Sequence, residues 1–175
     1  MRWNIDPQQA AAVRAALLEA VGVFVQAACR LAQVRRIALV GSLTTPKPDP
    51  KDADVLVTVT DVVDLEALAG IGRRLKGAAQ RHNRGADIFL CSPDYRYLGR
   101  TCHYRECHVR VACQGRRCRN GNYLRDDLQV VTLSRDLLRE PPIELWPDVL
   151  TRVPVPEDVA RILRIGQGSD PGPSV

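Results

Sequence analysis

The chain has 175 residues, 45% hydrophobic and 26% charged, with 12 Gly and 12 Pro, which is the size and balance of one folded domain and excludes a low-complexity chain. No apolar run reaches about 18 residues without a charge, and the start Met1-Arg-Trp-Asn-Ile-Asp-Pro7 lacks the unbroken apolar stretch of a signal peptide, so a cytoplasmic protein with no membrane partner is expected. The formal charge of +5 is modest, but eight Arg between Arg96 and Arg125 stand against a single acid, Glu106; this segment is either a phosphate-holding surface or a solvated Arg-rich one.

Asp6-Pro7 opens a helix, with Asp as N-cap and Pro at the first helical position. Residues Gln8 to about Val34 are rich in Ala and Leu and predict one long helix, or two segments meeting at Gly22. Its Leu17, Val21 and Val25 face packs on a sheet or, left uncovered, pairs with a second copy. Ile37–Val40 is a short apolar strand closed by Gly41-Ser42. Alternate prolines between Thr44 and Lys51 make a stiff loop and exclude helix. Asp54–Val59 is β-branched and alternating, a second strand. Asp61 or Asp64 caps a helix through Leu65, Leu68, Ile71 and Leu75 that ends near His82-Asn83. Ala86–Leu90 is a third strand.

Residues 93–125 show little periodicity. Leu128–Leu133 reads as another strand, Ser134 as the cap of a helical turn, and Pro156–Ile165 as a last short helix. From Gly166 the composition is that of a disordered tail. The order α–β–β–α–β, an insert, then β–α predicts an α/β (α+β) fold: a small mixed sheet flanked by helices, with a Cys-rich loop insert. A single domain is expected over residues 1–165, with its core at about 8–92, the Cys/Arg-rich segment at about 93–125 and the C-terminal strand and helices at 126–165.

Three acids carry the chemistry. Side chains alternate along a strand, so Asp52 and Asp54 point to one face. Two adjacent carboxylates repel, and a divalent cation relieves the repulsion. Asp87, between Ala86 and Ile88 on the third strand, would complete a site for one or two Mg²⁺ ions acting on a phosphoryl centre. Gly41 lets backbone approach a ligand closely, and the Ser42 hydroxyl with nearby amides can bind phosphate oxygens.

The ordered set Val40-Gly41-Ser42, Asp52-Ala53-Asp54 and Asp87, each acid on an apolar strand, resembles the nucleotidyltransferase superfamily of the DNA polymerase β type, above all its minimal stand-alone members. The resemblance covers about residues 8–92. It implies Mg²⁺-dependent transfer of a nucleoside monophosphate from a nucleoside triphosphate to an acceptor hydroxyl of an RNA, a protein or a small molecule. It further implies that Asp52 and Asp54 hold metal, that Asp87 binds the catalytic metal and helps deprotonate the acceptor, and that Gly41 and Ser42 cradle the triphosphate. Lys47 and Lys51 either touch the phosphates or are solvated. The chain carries Leu43-Thr-Thr-Pro-Lys-Pro-Asp-Pro50 where many minimal members have Arg and Gly, and the helical acceptor domain is replaced by the Cys/Arg-rich segment. A second reading is therefore a catalytically inactive member that serves as an antitoxin to a toxin partner, or that binds nucleic acid or protein. The third is a zinc-binding interaction domain whose acids are coincidental.

Cys102, Cys107, Cys113 and Cys118 are separated by four, five and four residues. They are read as a structural zinc site, as disulfides or as free thiols, with His103 and His108 as further candidate ligands. Cys29 and Cys91 are read as small buried side chains. All four tyrosines, Tyr95, Tyr97, Tyr104 and Tyr123, lie in or beside this segment, either as stacking surfaces for bases or as cover for a loop-rich patch.

Overall fold

Asp6 accepts a hydrogen bond from the Gln8 N–H and Pro7 takes the first helical position, and so begins α1 (Pro7–Ala28). A computed structural model describes the protein over residues 6–60, 65–102, 124–125, 138–148, 151 and 153–164. Gly22 does not break α1. The helix ends at Ala28, short of Val34, because Val34–Arg36 belong to the first strand, β1 (Val34–Val40), where Val34 pairs with Val59. The buried positions of α1 are Ala10, Arg14, Leu17, Leu18, Val21, Phe24 and Ala28, the three-to-four spacing of one helical face. By length and composition alone α1 could cross a membrane, but Leu17, Leu18 and Val21 are fully buried in the core. Of the face expected to pack on a sheet or on a second copy, Leu17 and Val21 are covered from within the chain and Val25 is half-buried against the core.

After β1 come a 3-10 turn at Gly41–Thr44 and β2 (Asp52–Val59). Then follow α2 (Glu66–Gln80), β3 (Gly85–Cys91), β4 (Tyr97–Thr101), β5 (Leu124–Arg125), β6 (Ile143–Trp146) and α3 (Glu157–Ile162). The six strands lie in the order β5-β4-β3-β2-β1-β6. Only β2 and β3 pair in parallel; the other neighbours are antiparallel. The parallel pair is joined through α2, the crossover a parallel connection needs. This is the expected mixed sheet flanked by helices.

Three strands were not expected: β4, the two-residue β5, which lies within the segment 93–125, and β6. β4 contains Gly99 and Arg100 and has no apolar alternation; its pairing with Phe89, Leu90 and Cys91 makes it a strand. β6 is only four residues long and sits beside Leu39, Ala38 and Ile37 at the sheet edge. The N-cap of α2 is Leu65, without a side-chain cap; Asp61 and Asp64 lie outside the described residues. So do the expected strand at 128–133, Ser134 and the tail at 166–175.

The sheet has two unlike faces. Ile37, Leu39, Val55, Val57, Ile88 and Leu90 are all at most 1% exposed and join α1 and α2 in one core. Gly72 of α2 lies so close to β3 that an added Cβ would come 2.8 Å from Ile88 Cγ1. The alternate residues face away from this core: Asp54, Leu56 and Thr58 on β2, and Asp87, Phe89 and Cys91 on β3. Arg14 braces the end of the sheet. It is 4% exposed, yet its Nε lies 2.5 Å from Asp158 Oδ2 at the start of α3. Its Nη2 and Nη1 donate to the Leu43 and Lys47 carbonyls at 3.1 and 3.0 Å.

Candidate functional site

The residues singled out on β1, β2 and β3 meet at one end of the face turned away from the helices. Val40 is the register partner of Asp54 across β1–β2, so the chain turns at Gly41 beside the acids. Gly41 has φ 72°, a left-handed conformation that suits glycine. The turn is closed by two threonines: Thr44 Oγ1 donates to the Gly41 carbonyl and Thr45 Oγ1 to the Ser42 carbonyl, each at 2.8 Å. Ser42 is half-buried, whereas Lys47 and Lys51 are exposed. The loop is anchored by Arg14 on one side. On the other, Asp49 Oδ1 pairs with Arg84 Nη2 at 2.5 Å and the Lys51 carbonyl accepts from Gly85 N–H at 3.0 Å.

Asp54 and Asp87 are direct partners in the parallel β2–β3 ladder, and Asp52 is the partner of Gly85. Asp52 occupies the space that Gly85 leaves: a Cβ on Gly85 would stand 2.2 Å from Asp52 Oδ1. Asp87 Oδ1 is paired with Arg100 Nη1 at 3.2 Å, across from β4. Between them Asp54 is 7% exposed. Its carboxyl is pushed up to about 8, first by burial and then by the charges of Asp52 and Asp87, with partial relief from the Asp87 backbone N–H. A buried acid held between two others is a place where positive charge is favoured.

Among the described residues no three His, Cys, Asp or Glu side chains already converge as a metal-holding group. Asp52 lies over Gly85 and Asp87 is engaged by Arg100. By chemistry alone the set would suit a hard divalent cation: three carboxylates on one sheet face, Asp52 and Asp54 two residues apart and Asp87 opposite Asp54, with Asp54 buried. Of the cysteine cluster, Cys102 is buried just after β4; Cys107, Cys113, Cys118, His103 and His108 lie outside the described residues. Cys91 is buried, and burial raises its thiol above the usual range. Cys29 is only half-buried.

Two arginines escaped the sequence reading. Arg14 was legible as the single cation on an otherwise apolar helical face, four residues after Ala10 and three and four before Leu17 and Leu18. Arg100 was not legible as a partner of Asp87, because the strand that carries it shows no pattern of its own.

No curated protein and no solved structure matches the chain. One family model does, over residues 6–121, a span that holds the Gly41-Ser42 turn, all three acids and Arg100. The chain belongs to that family, DUF6932, a family of unknown function.

Proposed function

We propose that this protein is a nucleotidyltransferase of the minimal type, with the Gly41–Thr44 turn as the triphosphate cradle and Asp52, Asp54 and Asp87 as its acidic centre. The observation that carries the reading is the register of β1–β2–β3, which sets Val40 beside Asp54 and Asp54 beside Asp87. The turn and the acids thereby share one end of one sheet face. Mg²⁺ held by Asp52, Asp54 and Asp87 would neutralise the phosphates and stabilise the charge that develops during transfer. The chain's own part is positioning. The Gly41 conformation, locked by Thr44 and Thr45, brings backbone and the Ser42 hydroxyl to the phosphate oxygens. The acceptor oxygen forms a bond to the α-phosphorus, the bond from that phosphorus to the bridging oxygen breaks, and pyrophosphate leaves. The proton of the acceptor hydroxyl passes to a carboxylate of the cluster, Asp87 by the family pattern. Lys47 and Lys51 extend from the exposed loop beside the cradle.

Purified full-length protein incubated with each labelled nucleoside triphosphate, Mg²⁺ and total RNA or protein tests the proposal. Transfer by wild type and none by an Asp52→Ala/Asp54→Ala double variant is the expected result. Absence of transfer with Mg²⁺-dependent triphosphate binding intact points to a missing acceptor or partner; absence of both favours the second reading, an inactive member that binds a toxin, nucleic acid or protein partner. The ion pair of Arg100 with Asp87 is the observation on its side, since it already balances one acid. Binding by the Arg-rich segment would then fall steeply with salt. A zinc site at Cys102, Cys107, Cys113 and Cys118 belongs to the same proposal as a staple for that segment, and metal analysis of the purified protein checks it.

A further inference from the structure

We propose that a pocket on the same sheet face, beyond the acids, binds a nucleobase ring against Tyr95. The identity of the ring as a nucleotide's base rests on the nucleotidyl-transfer reading; the pocket itself does not. Its volume is about 260 Å³, near the lower end of small-molecule sites, roughly 300 Å³. Leu56, Thr58 and Cys91 form its floor, and Arg36, Glu144 and Tyr95 line it. The floor is closed and largely apolar: Thr58 and Cys91 are buried and satisfy one another at 3.2 Å.

Tyr95 is the unusual residue. It is 67% exposed, and its backbone has φ 63°, a conformation bulky side chains rarely adopt. The Ser92–Arg96 turn holds it there: Tyr95 N–H donates to the Ser92 carbonyl and Ser92 N–H to the Arg96 carbonyl, both at 2.9 Å. Its hydroxyl accepts from Arg36, whose guanidinium carbon stands 5.4 Å from the ring centroid. A strained turn thus presents an aromatic ring to solvent beside an apolar floor, and a flat ligand ring can stack there.

The polar edge suits a base. Arg36 also donates to Glu144; a guanidinium has five N–H donors, so some remain after its bonds to Tyr95 and Glu144, and the Glu144 carboxylate keeps acceptor capacity. Donor and acceptor side by side match the edge of a heterocycle that carries both. The direction is also right. Leu56 and Thr58 follow Asp54 by two and four residues on one face, about 7 and 13 Å along the strand. A ring in the pocket would leave its sugar and phosphates running toward Asp54 and the Gly41 turn.

Titration calorimetry with adenosine, guanosine, cytidine and uridine, each lacking phosphate, tests the pocket apart from the acids. The same titration with each Mg²⁺–triphosphate tests the two together. At least one nucleoside should bind wild type. Tyr95→Ala should weaken it about tenfold, Tyr95→Phe should retain most of the affinity, and Leu56→Trp should abolish binding by filling the floor. Asp52→Asn/Asp54→Asn should leave nucleoside binding unchanged. Melting temperatures establish that each variant is folded, and Tyr95 is exposed enough for its replacement to be tolerated. Triphosphate binding indifferent to both Tyr95→Ala and Leu56→Trp would overturn the pocket and leave the transfer reading standing. Nucleoside binding lost in those variants, with no transfer to any acceptor, would keep the pocket and remove the transferase. Failure of every nucleoside and every triphosphate to bind overturns the pocket outright.

Discussion

Asp54 is where burial and charge conflict most sharply. Its carboxyl is raised to about 8 by burial and then by Asp52 and Asp87, so between the ordinary carboxylate range and about pH 8 the folded state binds more protons at this position than the unfolded chain. The metal-free protein should lose stability through Asp54 as pH rises through that window, and regain it on acidification. Asp54→Asn should remove the dependence and raise the melting temperature of metal-free protein at pH 8, by ~2–4 °C for each 1 kcal/mol gained. Thermal melts at several pH values with a chelator present check both. Gly85 makes the complementary prediction. A Cβ there collides with the movable end of Asp52 rather than with backbone. Gly85→Ala should therefore cost little stability, under about 1 kcal/mol, while Mg²⁺-dependent triphosphate binding falls as far as in Asp52→Ala.

The elements are held by contacts of long sequence range. Arg14 joins α1, the turn after β1 and α3 through one buried guanidinium. Burial alone would raise Asp158, but the hydrogen bond and charge of Arg14 outweigh it and lower the carboxyl. This pair is stabilising above the ordinary Asp range, and its contribution is lost as pH falls through the lowered value, the opposite sign to Asp54. Asp158 is partly exposed, so Arg14→Met should cost about 2–3 kcal/mol rather than the larger figure for a fully buried pair. The same variant should loosen the Gly41–Thr44 turn and the loop after it, and denaturant melts beside triphosphate titrations will register the loss of stability and any loss of binding. At the α2–β3 contact Gly72→Ala should destabilise by about 1–3 kcal/mol, because the new methyl meets the buried Ile88 rather than a movable tip.

α1 and α2 were readable from apolar residues recurring every three to four positions, β2 from the alternation in Asp54–Val59, and β1 and β3 from short apolar runs at Ile37–Val40 and Ala86–Leu90. β4 and β6 were not, since Gly99 and Arg100 interrupt one and the other is four residues long. Their partners, Phe89 and Leu39, make them strands. The same division runs through the site. Gly41, Ser42 and the three acids stood out in the sequence, and Tyr95 as a candidate stacking ring; the pairing of Arg100 with Asp87 and the contacts Arg14 makes behind the loop are products of strand pairing and helix packing.

At the scale of the whole molecule the sheet separates two tasks. One face is sealed by α1 and α2 into the core. The other carries the acids beside the Gly41 turn and, farther along the strands, the pocket at Tyr95. A ligand that spans this second face binds only the folded chain and should stabilise it, by about 2.7 kcal/mol at a hundredfold excess over Kd. The most direct test is calorimetric titration of each nucleoside triphosphate into the full chain with Mg²⁺, with a chelator, and in Asp54→Asn. The account predicts triphosphate binding that falls, in the chelator and in a well-folded Asp54→Asn protein, to no more than the affinity of the matching nucleoside. Triphosphate binding that persists undiminished in the chelator or in that variant, or no binding under any condition, would contradict it.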